Sequence, residues 1–168
     1  YRMNQILEIR ENDLQVVVQP GIIYDALNAK LRRLGLFFPP APGSAAIATI
    51  GGMVANNSSR MRAVRYGVTR NYVLKLKVVL PSGDIIEVGS AAKKSTSGYD
   101  LVGLFIGSEG TLGVITEITL RLLGLPEAVA EKLVHAVESA RPRVRYPVTV
   151  PAHAAGVLKR LLPARWRD

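Results

Sequence analysis

The stretch Pro39–Ser59, PPAPGSAAIATIGGMVANNSS, limits what this chain can fold into more than any other. It holds three prolines, three glycines, three serines and two asparagines among small apolar residues, and no charged side chain. A solvated linker of this kind would carry charge and lack the run Ala46-Ile47-Ala48-Thr49-Ile50. A core strand would exclude Gly51-Gly52 and Asn56-Asn57. What remains is a backbone that approaches something closely, with Gly43, Gly51 and Gly52 removing Cβ atoms that would stand in the way. Thr49, Asn56, Asn57, Ser58 and Ser59 add short, neutral hydrogen-bonding groups. This pattern suits a large, flat, polar-edged ligand with phosphates, bound by backbone N–H groups at turns and helix starts. A plain turn is the alternative, because Gly-Gly near Pro marks turns in general.

Composition narrows the partners. The 168 residues fit one domain of ordinary size, and 48% hydrophobic content makes a core available. The net charge of +9 raises nucleic acid or an anionic cofactor. The charges form no tract, however. The densest group, Arg60, Arg62, Arg65 and Arg70, surrounds the single aromatic Tyr66 and reads as a solvated face. No zinc-finger or RNP spacing supports nucleic acid. Without cysteine, disulfides, Fe–S clusters and thiol nucleophiles are excluded. His135 and His153 lie late and have no acidic motif beside them, so no metal site is expected. No apolar run approaches a membrane span and no signal peptide opens the chain, so a cytoplasmic protein is expected, membrane-associated only through partners.

In order, Gln5–Arg10 and Leu14–Gln19 predict a hairpin. Ile22–Leu34 predicts a helix with Ile23, Leu27, Leu31 and Leu34 inward and Asp25, Lys30 and Arg32 outward, stopped by Gly35. Thr49 is placed to cap a short helix from Ile50, with free N–H groups towards the Pro42–Ser44 turn. Arg60–Arg70 reads as loop. Tyr72–Leu80 predicts a strand with Val73, Lys75 and Lys77 on one face and Leu74, Leu76 and Val78 on the other. Pro81–Asp84 turns it into a hairpin with Ile85–Val88. Asp100 is placed to cap a helix to Phe105. Gly107–Gly113 is a second glycine-rich turn. It enters a strand, Val114–Leu122, in which Ile115, Glu117, Thr119 and Arg121 alternate with Val114, Thr116, Ile118 and Leu120. Glu127–Ala140 predicts a helix within an otherwise weakly patterned tail. Two glycine-rich turns separated by a hairpin can face one ligand from two sides.

Other chemistry fails on inspection. There is no G-x-G-x-x-G and no Walker loop. Ser90-x-x-Lys93 lacks its partner motifs, and no Ser/His/Asp set assembles. Asp84, Asp100, Glu109 and Glu117 read as turn, cap and surface groups. A chain this poor in catalytic side chains takes its chemistry from a cofactor.

Three ordered runs then carry a resemblance: FPPAPGSAAIATIGGMVANNSS, RYGVTRNYVLKLKVVLPSGDIIEVG and KKSTSGYDLVGLFIGSEGTLGVITEITLRLLGLPE. Together they resemble the FAD-linked oxidase family with a PCMH-type, vanillyl-alcohol-oxidase-like FAD domain. The branch is that of the glycolate oxidase GlcD subunit and of D-lactate and D-2-hydroxyacid dehydrogenases. The similarity covers roughly Asn4–Glu127.

The resemblance implies an α+β fold, an antiparallel-rich sheet flanked by helices, equivalent to the larger lobe of that FAD domain. It implies FAD as cofactor and hydride transfer from a 2-hydroxy acid. It implies contacts from Pro42, Gly43, Ser44, Ala48 and Thr49 along the cofactor, backbone packing at Gly51 and Gly52, and contacts from Asn56, Asn57, Ser58 and Ser59. Glu109, Gly110, Thr111, Leu112, Gly113, Val114 and Ile115 line it again, and Gly98-Tyr99-Asp100 matches a supporting signature. The family's pyrophosphate loop, P-x-x-x-G-G-x-T/S, has no match before Asn4. Residues 127–168 do not resemble the family's substrate domain. The expectations are therefore no assignable catalytic base, weak FAD binding and negligible turnover for the chain alone, and a partner chain, other oxidase subunits or a homodimer completing the site. The alternative is a non-catalytic remnant.

Overall fold

The computed structural model describes residues 2–58, 63–92 and 98–126. The chain divides into two compact units, Tyr1–Leu123 and Gly124–Asp168. Only the first few residues of the second unit are described. The expected helix at 127–140, both histidines, Ser59, Arg60, Arg62 and Lys93 lie outside the described residues.

The first unit is built on five strands: β1 (Ile6–Arg10), β2 (Gln15–Val18), β4 (Val73–Val79), β5 (Ile85–Gly89) and β6 (Val114–Arg121). Their order is β1-β2-β6-β4-β5, and every neighbouring pair is antiparallel. β6 enters the middle of the sheet between the two hairpins, which makes this more than a meander. A short strand β3 (Leu36–Phe37) and helices α1 (Tyr24–Arg32), α2 (Ile50–Ala55), α3 (Ala63–Tyr66) and α4 (Leu101–Phe105) complete it. The expected α+β, antiparallel-rich architecture is the one observed.

Val16, Val18, Leu76, Val78, Ile118 and Leu120 are fully buried on one face. The other face carries Lys75, Lys77, Glu87 and Glu117, joined as Lys75–Glu87 and Lys77–Glu117 ion pairs. Each buried aliphatic side chain stabilises by about 1.5–3 kcal/mol, whereas solvent-screened surface ion pairs contribute little. The apolar row therefore decides which way the sheet faces. Within the β4–β6 pair, strict alternation fails at two points. The β4–β6 register shifts between Val73 and Lys75 and again between Lys77 and Val78. The first bulge lets Val73 pair with Leu120 and join the buried side, not the lysine side. The second sets Ile115 opposite Val78, so Ile115 packs against the core instead of following Glu117. A bulge adds a residue to one strand and reverses the sidedness beyond it.

Helix α1 also turns differently from its sequence pattern. Tyr24, Leu27, Asn28 and Leu31 are buried, while Leu34 is exposed. Asn28 is drawn in by hydrogen bonding. Its Oδ1 accepts from the Phe38 N–H at 2.8 Å, and its Nδ2 donates to the Phe38 carbonyl at 3.4 Å. The Tyr24 hydroxyl donates to the same carbonyl at 3.1 Å. These bonds, with the fully buried Phe38 ring, fix where the chain enters Pro39. The segment expected as loop after residue 60 instead holds α3 and a 3-10 turn, Thr69–Tyr72.

Candidate functional site

The first bend is stitched to α1 along its length. Ile47 and Ala48 N–H groups donate to the Ser44 carbonyl, closing a turn. The Ala48 and Ala45 carbonyls accept from the Tyr24 and Asp25 N–H groups at 2.9 and 3.4 Å, satisfying the opening of α1. Thr49 caps α2 as expected, its side-chain oxygen accepting from the Gly52 N–H at 3.1 Å.

The start of α2 corrects one expectation. The Ile50 N–H donates to the Ile22 carbonyl at 2.9 Å and the Gly51 N–H to the Pro20 carbonyl at 2.8 Å. These N–H groups are used inside the protein and do not face the Pro42–Ser44 turn as free donors. The close approach at Gly51 is likewise to protein: a Cβ there would lie 2.6 Å from the Pro20 Cβ. Gly113 is similar, since its Cβ would lie 2.7 Å from Val78 Cγ1 and 2.8 Å from the Val79 carbonyl. Gly52 differs. It is exposed, and a Cβ would approach only its own cap oxygen on Thr49.

The donors without an acceptor among the described residues lie elsewhere in the two bends. In the first they include the N–H groups of Gly43, Ser44, Ala45 and Ala46. In the second they include those of Gly110, Leu112 and Gly113. The second bend is tightly wound, with Gly107, Glu109 and Gly110 all at positive φ. The Thr111 N–H and hydroxyl both donate to the Ser108 carbonyl.

The two bends meet. The Gly107 N–H donates to the Val54 carbonyl at 3.1 Å, and the Glu109 N–H to the Ala55 carbonyl at 2.9 Å. The Ala55 carbonyl at the end of α2 is thus satisfied by the second bend, which also shares the Val54 carbonyl with the Asn57 N–H. Between them lies the Asn56–Ser58 segment. Asn57, at φ 49°, accepts from the Arg70 N–H through Oδ1 at 3.0 Å. The Ser58 hydroxyl donates to Asn56 Oδ1, and the Ser58 carbonyl accepts from the Thr69 N–H and hydroxyl. These oxygens shape the bend; the Nδ2 groups of Asn56 and Asn57 have no acceptor among the described residues.

Arg70 and Ile47 are the two residues that the sequence reading passed over here. Arg70 looked like part of a solvated cluster, yet its guanidinium donates to the Gly103 and Ile106 carbonyls at 2.8 and 2.9 Å. Ile47 is 76% exposed. With Leu112 and Val114, also exposed, it adds apolar surface to the two bends. Its signal was the unbroken apolar run in an otherwise turn-like segment. The site offers neutral backbone donors beside apolar surface, and Glu109 is the one charged residue among those named from sequence. Such a donor set fits a nucleotide with a diphosphate and flat rings. Among the described residues there is no group of three His, Cys, Asp or Glu able to hold a metal ion. No helix there is long and apolar enough to cross a membrane.

An antiparallel sheet carrying two joined, glycine-rich bends with free backbone donors fits a cofactor-binding domain of the nucleotide type. Residues 1–89 match the family described as FAD binding domain, and the chain belongs to that family; its cofactor is FAD. The chain is 51% identical over 125 residues to glycolate oxidase subunit GlcD of Bacillus subtilis (strain 168), covering 74% of this chain and 27% of that protein. It is 53% identical over 125 residues to the mitochondrial D-lactate dehydrogenase [cytochrome] of Arabidopsis thaliana, covering 74% and 22%. It is 44% identical over 120 residues to D-2-hydroxyglutarate dehydrogenase of Stutzerimonas stutzeri (strain A1501), covering 71% and 26%. Among solved structures, alkyldihydroxyacetonephosphate synthase in its P212121 crystal form superposes with a TM-score of 0.66 at 26% identity, covering 82% of this chain and 26% of that one. The chain thus spans about a quarter of the length of these relatives.

Proposed function

We propose that the chain is the FAD-holding part of a flavin-dependent oxidoreductase that oxidises 2-hydroxy acids. The observation that carries this is the joining of the two bends through Gly107 and Glu109 to the end of α2. It makes one surface from segments some fifty residues apart. FAD, when bound, supplies the chemistry by accepting a hydride from C2 of the substrate.

The chain's own contribution is binding and placement. The N–H groups of Gly43–Ala46 are the donors suited to the diphosphate. Those of Gly110 and Leu112 are suited to polar edges of the nucleotide, and Ile47, Leu112 and Val114 to its flat rings. Gly51 and Gly113 act indirectly by letting the bends pack on Pro20 and β4. No described residue is assigned as a catalytic base. The substrate class rests on the relatives, which are named for glycolate, D-lactate and D-2-hydroxyglutarate.

The donors lie mostly on exposed residues, where water competes and each hydrogen bond contributes about 0.5–1.5 kcal/mol net. We therefore expect the 168-residue chain to bind FAD only weakly and to show negligible turnover. Titration followed by flavin fluorescence tests this. A dissociation constant of micromolar or weaker is expected; sub-micromolar binding overturns the weak-binding reading, and no saturable binding overturns the site.

A second reading is that full affinity needs a partner chain or a homodimer. It is favoured by the exposed apolar side chains Tyr99, Leu101 and Leu104 on and beside α4, which leads into the second bend. In the same titration, affinity that rises with protein concentration marks self-association.

A further inference from the structure

Arg70 connects parts of the chain that no regular ladder connects. Its backbone N–H donates to Asn57 Oδ1, just past the end of α2. Its guanidinium donates through Nη1 to the Gly103 carbonyl at 2.8 Å and through Nη2 to the Ile106 carbonyl at 2.9 Å. These are carbonyls at the C-terminal end of α4, where a cation is favoured. Gly107 follows at once, and its N–H returns to the Val54 carbonyl. The circuit is closed: α2, Asn57, Arg70, the end of α4, the second bend, and α2 again.

A second observation shows that the chain accommodates this contact. Gly103 lies inside α4, where glycine is unfavourable by about 1 kcal/mol relative to alanine. A Cβ at that position would lie 2.5 Å from Arg70 Nη1 and 2.1 Å from the Oδ2 of Asp100, the cap of α4. A larger residue would require both the Asp100 cap and the guanidinium to shift. The glycine and the arginine form a matched pair.

We propose that Arg70 is the positioning residue that sets the spacing between the two bends, and through that spacing the affinity for FAD. The inference rests on the flavin reading above for its ligand, but not for its geometry. Arg70 acts on the cofactor only through the bends. Its planar fork serves two carbonyls at once, which a lysine ammonium cannot do in the same geometry.

Arg121 provides the control. It also docks near the Thr69–Tyr72 turn, donating to the Asn71 carbonyl at 3.1 Å and lying 5.1 Å from the Tyr72 ring centre. It touches neither bend. Arg70→Met is expected to weaken FAD binding about 10-fold, the loss that one charge-assisted hydrogen bond represents. Arg121→Met is expected to change it less than about 2-fold, within the range of a surface substitution. Arg70→Lys should fall between, and millimolar guanidinium should restore part of the affinity of Arg70→Ala but not of Arg121→Ala.

Amide exchange gives a reading independent of FAD. The Gly107 and Glu109 amides should exchange about 10-fold faster in Arg70→Met, while those of Leu76 and Ile118 in the sheet stay unchanged. If these two amides keep their protection in Arg70→Met or, should that variant not fold, in Arg70→Lys, the proposal is overturned. Equal loss of affinity in both methionine variants overturns it as well. If the unaltered chain shows no FAD binding but the exchange result holds, the flavin reading fails while the spacing role stands.

Discussion

The bend at 39–58 and the bend at 107–113 are both rich in glycine, yet they are held in different ways. The first is fastened at both ends to the body of the unit. Asn28 and Tyr24 grip Phe38 at its entry, and Ile22 and Pro20 take the first N–H groups of α2. The second has no such attachment to α1. It is wound through three left-handed residues and is fixed by Gly107 and Glu109 to α2, by Arg70 through α4, and by β6 beyond. The dependence therefore runs one way: the second bend takes its position partly from the first. A surface assembled so can be weakened by a change in either bend, but only a change in the first should disturb both.

The largest expected effect tests that direction. Gly51→Ala sets a Cβ 2.6 Å from Pro20 and 3.0 Å from its carbonyl. Backbone cannot yield there, and a loss of about 3 kcal/mol is expected in urea unfolding. Amides of Gly107 and Glu109 should lose protection along with those of α2. If only α2 responds, the two bends are held independently and the hierarchy is wrong.

A smaller effect of opposite sign is expected in the second bend. Glu109 is a non-glycine residue at φ 53° with an exposed side chain. The left-handed region is unfavourable for it by about 1–2 kcal/mol, and glycine's greater unfolded-state freedom gives back about 0.5–1 kcal/mol. Glu109→Gly should thus stabilise the unit by about 0.5–1 kcal/mol, read from the urea midpoint. α2 should not respond. Destabilisation would mean that the Glu109 side chain has a structural contact of its own.

The smallest effect concerns the joint between the bends. Tyr72 ends the 3-10 turn that carries Arg70, its ring set edge-on to Phe38 at 6.0 Å and its hydroxyl donating to the Tyr66 carbonyl at 2.6 Å. Burial pushes its hydroxyl above the ordinary value of 10.0, with the charge of Arg121 opposing and Tyr66 adding to the rise. The folded state therefore holds this proton more tightly than the unfolded chain. The stability it contributes is complete below about pH 10 and is lost as pH rises through the folded-state value. Tyr72→Phe should flatten the alkaline limb of the stability profile and leave the neutral region sloping as before. An unchanged alkaline limb would place the titration elsewhere.

Much of the fold was legible because its signals are local. The hairpins at 6–18 and 73–89 followed from alternation and turn residues. The caps Thr49 and Asp100 follow from oxygen-bearing side chains set three residues before a free N–H. The bulges in β4 and β6 were not legible, since the register slips only where the two strands pair, far apart in sequence. The burial of Asn28 has no local signal, because its partner, the Phe38 backbone, lies beyond the end of the helix. The α2 N–H groups were read as free because their acceptors, Ile22 and Pro20, precede them by about thirty positions.

By itself the sequence determined that this chain has two glycine-rich turns, an antiparallel sheet between and around them, and a likeness to flavoprotein domains. Those features depend on residue type and near-neighbour spacing. Only the tertiary structure decided which donors remain free, that Gly51 serves Pro20, and that one arginine spans from Asn57 to the end of α4. A hydrogen-bonding group is free or spent according to what lies within about 3 Å of it, and that neighbour is chosen by the packing of segments far apart along the chain.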